Sequence, residues 1–284
     1  MANLRYDPAA HYEVKVEDVE YRRDGEQSLL ALMYQPQGPG PFPALIEIHG
    51  GAWNNGDRRN NPALAEGLAA SGVVVASIDF RMGGEGPYPS SLQDINYATR
   101  WLKAHAPEFK ADAATVGGIG VSSGGHLIML AAMRPHDPRY TALPLPGAAG
   151  VDGTLAYAIS LWGVLDPYGR YLMAKESGNK QLMGNHERYF LTDDAMQESN
   201  LIQILERGEK VALPPALLLQ GTADKGVPKG MVEKVAELYH AAGGDVDLAL
   251  FPNMPHGLAG WPEADVARMI ERIKGYIARR VSAN

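Results

Sequence analysis

Val14, Val16 and Val19 sit among charged residues between Tyr12 and Tyr21, and after a turn at Asp24-Gly25 a second apolar stretch runs from Leu29 to Tyr34. That pattern on either side of a turn predicts an antiparallel edge pair. Beyond a Pro/Gly-rich connector, Ala44–Ile48 has the length and apolarity of a short buried strand. Leu64 and Leu68 recur at helical spacing up to a stop at Gly72, and Val73–Ile78 is a further strand-length apolar run. Leu92, Ile95, Ala98 and Leu102 predict the next helix, closed by Pro107. A short strand over 115–121 then runs directly into Leu127–Met133, long enough for a buried helix. Strand character returns at 156–161, 216–220 and 246–251. A helix with Val232, Val235, Leu238 and Tyr239 precedes the last of these. A final helix keeps Val266, Met269, Ile270, Ile273 and Ile277 on one face. Strands alternating with helices predict an α/β class protein with a mostly parallel, doubly wound sheet.

Three predicted strand ends carry groups that belong together chemically. Ser122 lies in Gly120-Val121-Ser122-Ser123-Gly124, between a strand and a helix. A sharp strand-to-helix turn of this kind holds a serine hydroxyl above the sheet, and the following helix points its positive end at the same spot. Serine is a poor nucleophile at neutral pH without a base in reach and a third group to orient that base. Asp224 follows the strand at 216–220, and His256 follows the last strand on a Pro/Gly-flanked loop. Loops at the carboxyl ends of parallel strands share one edge, so Ser122, Asp224 and His256 can meet, and their chain order is that of α/β-hydrolases. Asp166, just past the preceding strand, is the alternative acid. Ser123 is the competing hydroxyl, better read as a backbone N–H donor. Among the other histidines, His49 and His126 have structural roles as their competing reading, His240 falls in a helix and His186 in an insertion.

That insertion is the segment 166–213, placed after the sixth strand, where the alternation breaks. It is read as a cap over the catalytic face of a single domain spanning 1–284, with one helical segment around Leu201–Leu205. Its aromatics and methionines suggest an apolar substrate wall. Met183, Tyr189 and Phe190, joined by Trp53 and Trp162, are the candidate pocket residues, with core packing as the competing role. The long Pro/Gly loop at 135–153 has no readable role.

Composition narrows the function classes. A net charge of −7 without a basic run argues against nucleic acid or an anionic membrane surface as partner. The absence of cysteine excludes disulfides, thiolate metal sites and a cysteine nucleophile. The opening Met1–Pro8 has neither a basic start nor an apolar stretch, and no apolar run reaches the ~18 residues a membrane span needs. The expectation is a soluble cytoplasmic protein. Oligomeric state is left open, a homo-oligomer included.

The residues His49-Gly50-Gly51-Ala52-Trp53, Asp79-Phe80-Arg81, Gly120–Gly125, Gly221-Thr222-Ala223-Asp224 and Pro255-His256-Gly257 resemble two groups of α/β-hydrolase esterases over about residues 30–280. These are the relatives of hormone-sensitive lipase and the bacterial feruloyl-esterase-like carboxylesterases. The H-G-G-x-W loop is also similar to that of arylformamidases. The resemblance implies an α/β-hydrolase fold and Ser-His-Asp acyl transfer on a small ester, with no cofactor and no metal. It also implies an oxyanion hole from the N–H groups of Gly51, Ala52 and Ser123, with Gly50 as a substitute. Ala52 stands where hormone-sensitive lipase relatives carry a third glycine. An arylformamidase-type amide hydrolase is the alternative activity, and a non-catalytic ligand-binding module on the same scaffold the alternative of another class.

Overall fold

Apolar runs without polar interruption form the middle of the sheet, and alternating ones form its edge. The structure, a computed structural model, describes residues 6–282; Met1–Arg5, part of the opening stretch discussed above, lie outside the described residues. Strands β1 (Val14–Asp24) and β2 (Gln27–Pro36) pair antiparallel, with the charged side of β1 toward solvent. Strands β3 (Ala44–Ile48), β4 (Val74–Ile78), β5 (Gly117–Val121), β6 (Ala158–Leu161) and β7 (Ala216–Gly221) are buried along their whole length, and β8 (Val246–Phe251) closes the far edge. The order across the sheet is β1-β2-β4-β3-β5-β6-β7-β8, parallel from β4 onward. This is an α/β-hydrolase fold.

Alternate residues of each strand feed two cores. Ala44, Ile46 and Ile48 pack under α2 (Ser90–Ala104), α3 (Ser123–Met133) and α8 (Met231–Ala241). Leu45 faces the opposite side, toward α1 (Pro62–Ala70) and α9 (Glu263–Val281). Because β4 and β5 flank β3, the strand order reverses between β3 and β5, and the crevice at their carboxyl ends is where such sheets place ligands.

The segment 166–213 differs from expectation in detail. It holds four helices where one was anticipated: α4 (Pro167–Glu176), α5 (Lys180–Phe190), α6 (Asp193–Glu198) and α7 (Leu201–Glu206). They are short, so apolar periodicity has no room to show. Each starts at a polar residue whose side chain accepts a backbone N–H of the first turn: Asp166, Asn179, Thr192 and Asn200. The segment bonds to loops at the carboxyl edge of the sheet. Asn54 Nδ2 donates to Asn185 O at 2.8 Å, Tyr88 N to Tyr189 O at 2.8 Å, and Arg170 Nε to Gly226 O at 2.7 Å. The loop at 135–153 contains no helix or strand but is fixed to α2, whose Asn96 and Arg100 donate to Pro135 O and Leu143 O.

Candidate active site

Ser122 stands between the end of β5 and the first residue of α3 in a conformation few side chains adopt, with φ 53° and ψ −120°. Two close approaches force the turn. A Cβ on Gly120 would lie 2.2 Å from Gly124 O, and one on Gly124 2.2 Å from Ile48 O, so helix and strands meet here only through glycine. The turn leaves the hydroxyl half-exposed, 2.8 Å from His256 Nε2.

The loop after β8 carries His256, and the loop after β7 carries Asp224. His256 Nδ1 is 2.7 Å from Asp224 Oδ2. A carboxylate only accepts, so Nδ1 carries the proton and Nε2 is free to accept from Ser122. Asp224 is itself held, by Gly226 N at 2.6 Å on Oδ1 and by Gln220 Nε2 at 2.5 Å on Oδ2. Burial works against its charge. The hydrogen bond and charge of His256, the Gly226 N–H and the Gln220 amide outweigh that cost and hold its pKa below the usual carboxylate range. The structure thus brings Ser122, Asp224 and His256 into one chain of hydrogen bonds. Asp166 is elsewhere: it caps α4, accepting from Gly169 N at 2.7 Å and from Asn200 Nδ2.

The loop after β3 passes close to the serine, where a Cβ on Gly50 would stand 3.1 Å from Ser122 Cβ. Ala52 and Trp53 both take positive φ, 52° and 62°, which turns the loop tightly around Asn54 and Asn55, whose N–H groups both reach Gly51 O at 3.1 Å. The N–H groups of Gly51, Ala52 and Ser123 donate to no backbone acceptor among the described residues. His49 pins this loop: its ring stacks on Phe80 at 4.5 Å and its Nδ1 lies 2.7 Å from Gly50 O. His126 is fully buried between the Trp53 indole N–H, 3.3 Å from its Nδ1, and Ser199 O, 2.8 Å from its Nε2. Burial lowers its pKa to about 4, so it stays neutral.

The sequence of most of the chain, including Ser122 and Asp224 but not His256, matches a known group. The profile of the BD-FAE family covers residues 30–238, from β2 to α8. The chain belongs to the BD-FAE family. Among curated relatives of this BD-FAE chain, the probable carboxylic ester hydrolase LipM of Mycobacterium tuberculosis is 27% identical over 232 residues, covering 78% of this chain. Esterase LipQ of the same organism is 26% identical over 264 residues, covering 90%. The chain spans 52% and 61% of their lengths. Among solved structures, esterase Est2 of Thermogutta terrifontis superposes with a TM-score of 0.71 at 23% identity, covering 97% of both chains.

Of the two roles left open for the candidate pocket residues, the burial of their rings supports core packing. Trp53 and Phe190 are 1% exposed and Tyr189 is 0% exposed. The Trp53 ring stacks on Tyr189 at 5.8 Å and meets Phe190 edge-on at 4.9 Å, so these rings spend their faces on one another. Trp162 is buried against Trp261, and Met183 packs half-buried on the same core as Phe190. Apolar composition reports burial without saying what covers it, which is why the sequence left both roles open. Sequence reasoning missed Gln220, Gly226 and Arg170. For Gln220 a signal existed, a polar residue closing an otherwise apolar buried strand four positions before the acid; for the other two only tertiary contact reveals the role.

Proposed function

We propose that the chain is a serine hydrolase of small carboxylic esters, working through an acyl-Ser122 intermediate, with 166–213 as the cap over the site. One observation carries the reading: a strained, half-exposed serine hydroxyl in line with an imidazole whose tautomer a buried carboxylate fixes. The curated names of LipM and LipQ support the same chemistry.

As Ser122 Oγ attacks the ester carbonyl carbon, its proton passes to His256 Nε2, and Asp224 stabilises the imidazolium that results. The carbonyl oxygen becomes an oxyanion, and the N–H groups of Gly51, Ala52 and Ser123 receive it, helped by the positive end of α3. His256 then protonates the departing alcohol as the C–O bond breaks, leaving the acyl group on Ser122. A water, deprotonated by His256, attacks the acyl carbon and releases the acid. None of these steps needs a metal or cofactor.

The test begins with a fluorophosphonate probe, expected to modify Ser122 in the wild type and nothing in Ser122→Ala. Rates on aryl acetate, propionate and butyrate esters are then compared with those on an N-formyl-arylamine. The acyl series is chosen because Est2 has been solved with propionate and with butyrate. Faster turnover of the formamide would replace the esterase reading with the arylformamidase one. A wild-type protein that takes no label and turns over neither substrate would leave a non-catalytic module.

A further inference from the structure

Arg170 is a charged residue that the chemistry above does not use. It projects from α4, is only 7% exposed, and makes no ion pair among the described residues. Its Nε donates to Gly226 O at 2.7 Å, its guanidinium carbon sits 5.9 Å from the Trp53 ring centre, and its Nη1 is buried without a partner. A buried guanidinium without a carboxylate partner is costly, and one placed between two loops of a catalytic site calls for a reason.

Residue 226 supplies it. Its N–H holds Asp224 Oδ1 at 2.6 Å while its carbonyl accepts Arg170 Nε. Its backbone also lies against the triad: a Cβ here would come within 2.8 Å of His256 Cγ and 3.2 Å of Asp224 Oδ1. Held from one side by Arg170, this backbone bonds the carboxylate on the other and leaves no room for a side chain beside the imidazole. We propose that Arg170 is a positioning residue of the triad, through which the insertion fixes residue 226 and, by it, Asp224 and His256 in their reacting arrangement. The inference rests on the hydrolase reading above.

Charge acts in the same direction. The groups facing Arg170 are Asp224 from the loop after β7 and His186 from α5, with His126 beside His186. Burial lowers Arg170 to about 10 against the pull of Asp224, so it remains a cation at neutral pH. Burial likewise lowers His186 to about 4, and it stays neutral. Arg170 is then a buried cation facing the carboxylate that orients His256.

The experiment compares wild type, Arg170→Met, Arg170→Gln and Arg170→Lys on an aryl acetate, with rates normalised to sites titrated by the fluorophosphonate. Removing the donor and the charge in Arg170→Met is expected to lower kcat about tenfold, the size of one charge-assisted hydrogen bond, with KM little changed. The acid limb of its kcat/KM profile should move to higher pH, since the cation that faces Asp224, and shares that carboxylate with the imidazolium formed in the reaction, is gone. Arg170→Lys keeps a cation able to reach Gly226 O and should recover most of kcat and the wild-type limb. If Arg170→Met does not accumulate as folded protein, Arg170→Gln, equally uncharged, must show the displaced limb. Wild-type kcat per titrated site together with an unmoved limb in the uncharged variants, whatever their melting temperatures, overturns the proposal. A wild type that takes no label would instead sink the hydrolase reading beneath it.

Discussion

The carboxyl edge of the sheet and the insertion at 166–213 lie against each other but are held by different forces. At the edge, Ser122, Asp224 and His256 stand on loops, and their positions are set by a positive φ, glycine contacts and a few short hydrogen bonds. In the insertion, Tyr171, Tyr189, Phe190 and Met196 are buried and join the core beneath α2 and α3. Strain and polar contacts place reactive atoms but add little net stability, whereas apolar burial adds stability without directing any atom at a substrate. Substitutions at the edge should therefore remove rate and spare the fold, and those of the insertion's buried rings should do the opposite.

The largest effect expected is from Ser122→Ala, a loss of ~10⁶ in kcat, because triad members act as a unit. Thermal melting should stay within a degree or two of wild type. A comparable loss from Ser123→Ala, with Ser122→Ala still active, would move the nucleophile by one residue.

Asp224→Asn is next, at about 10⁴ in kcat, since an amide facing His256 Nδ1 favours the wrong tautomer. Asp166→Asn is its control. Asparagine keeps an oxygen for Gly169 N and remains a good helix cap, so rate and melting should both be near wild type. The reverse ranking of the two variants would contradict the geometry around His256.

Phe190→Ala carries the contrast to the insertion side. Deleting a ring that touches Trp53, Tyr189, His126 and His186 should cost about 3–5 kcal/mol of stability. Per titrated site, kcat/KM should stay near wild type for acetate and butyrate esters alike, because a buried ring discriminates nothing. A selective loss on the longer acyl chains would restore Phe190 to the substrate wall and erase the distinction between the two regions.

The same division explains what could be read without coordinates. Eight strands and the order of Ser122, Asp224 and His256 were legible because the information is local: an apolar run followed at once by a glycine turn or a polar residue at its carboxyl end. Topology then brings those ends to one edge. The helices α4 to α6 escaped because 6–11 residues are too few for a periodic stripe, although their polar caps were in plain view. Tyr189 and Phe190 were ambiguous for a different reason. An aromatic ring in the sequence carries its area but not its orientation, and wall and core differ only in orientation. Arg170 was invisible altogether, since its partner is a backbone carbonyl 56 residues away.

The smallest effect tests whether the separation reaches beneath the loops, at Glu47. This residue lies on β3, two positions before His49, is 1% exposed and accepts from Asn61 Nδ2 at 2.7 Å. Burial raises its pKa to about 7, against the hydrogen bonds of Ser77 and Asn61, from an ordinary 4.5. A raised pKa means that between about 4.5 and 7 the folded chain keeps a proton the unfolded chain has released, so stability falls as pH rises through this window. Glu47→Gln carries no charge to bury and keeps an oxygen for Asn61. Its advantage over wild type should be near zero at pH 4.5 and reach on the order of 3 kcal/mol at pH 8, the energy of that displacement in pKa. Denaturant melts of both proteins at the two pH values measure it. Across the same range kcat per titrated site should be unchanged by the substitution, because Glu47 acts on the balance of folding and not on the N–H groups of the loop ahead of it. An equal gain at both pH values would show that Glu47 is not the titrating group, and a loss of kcat would show that the loop from His49 to Trp53 takes its shape from this carboxyl.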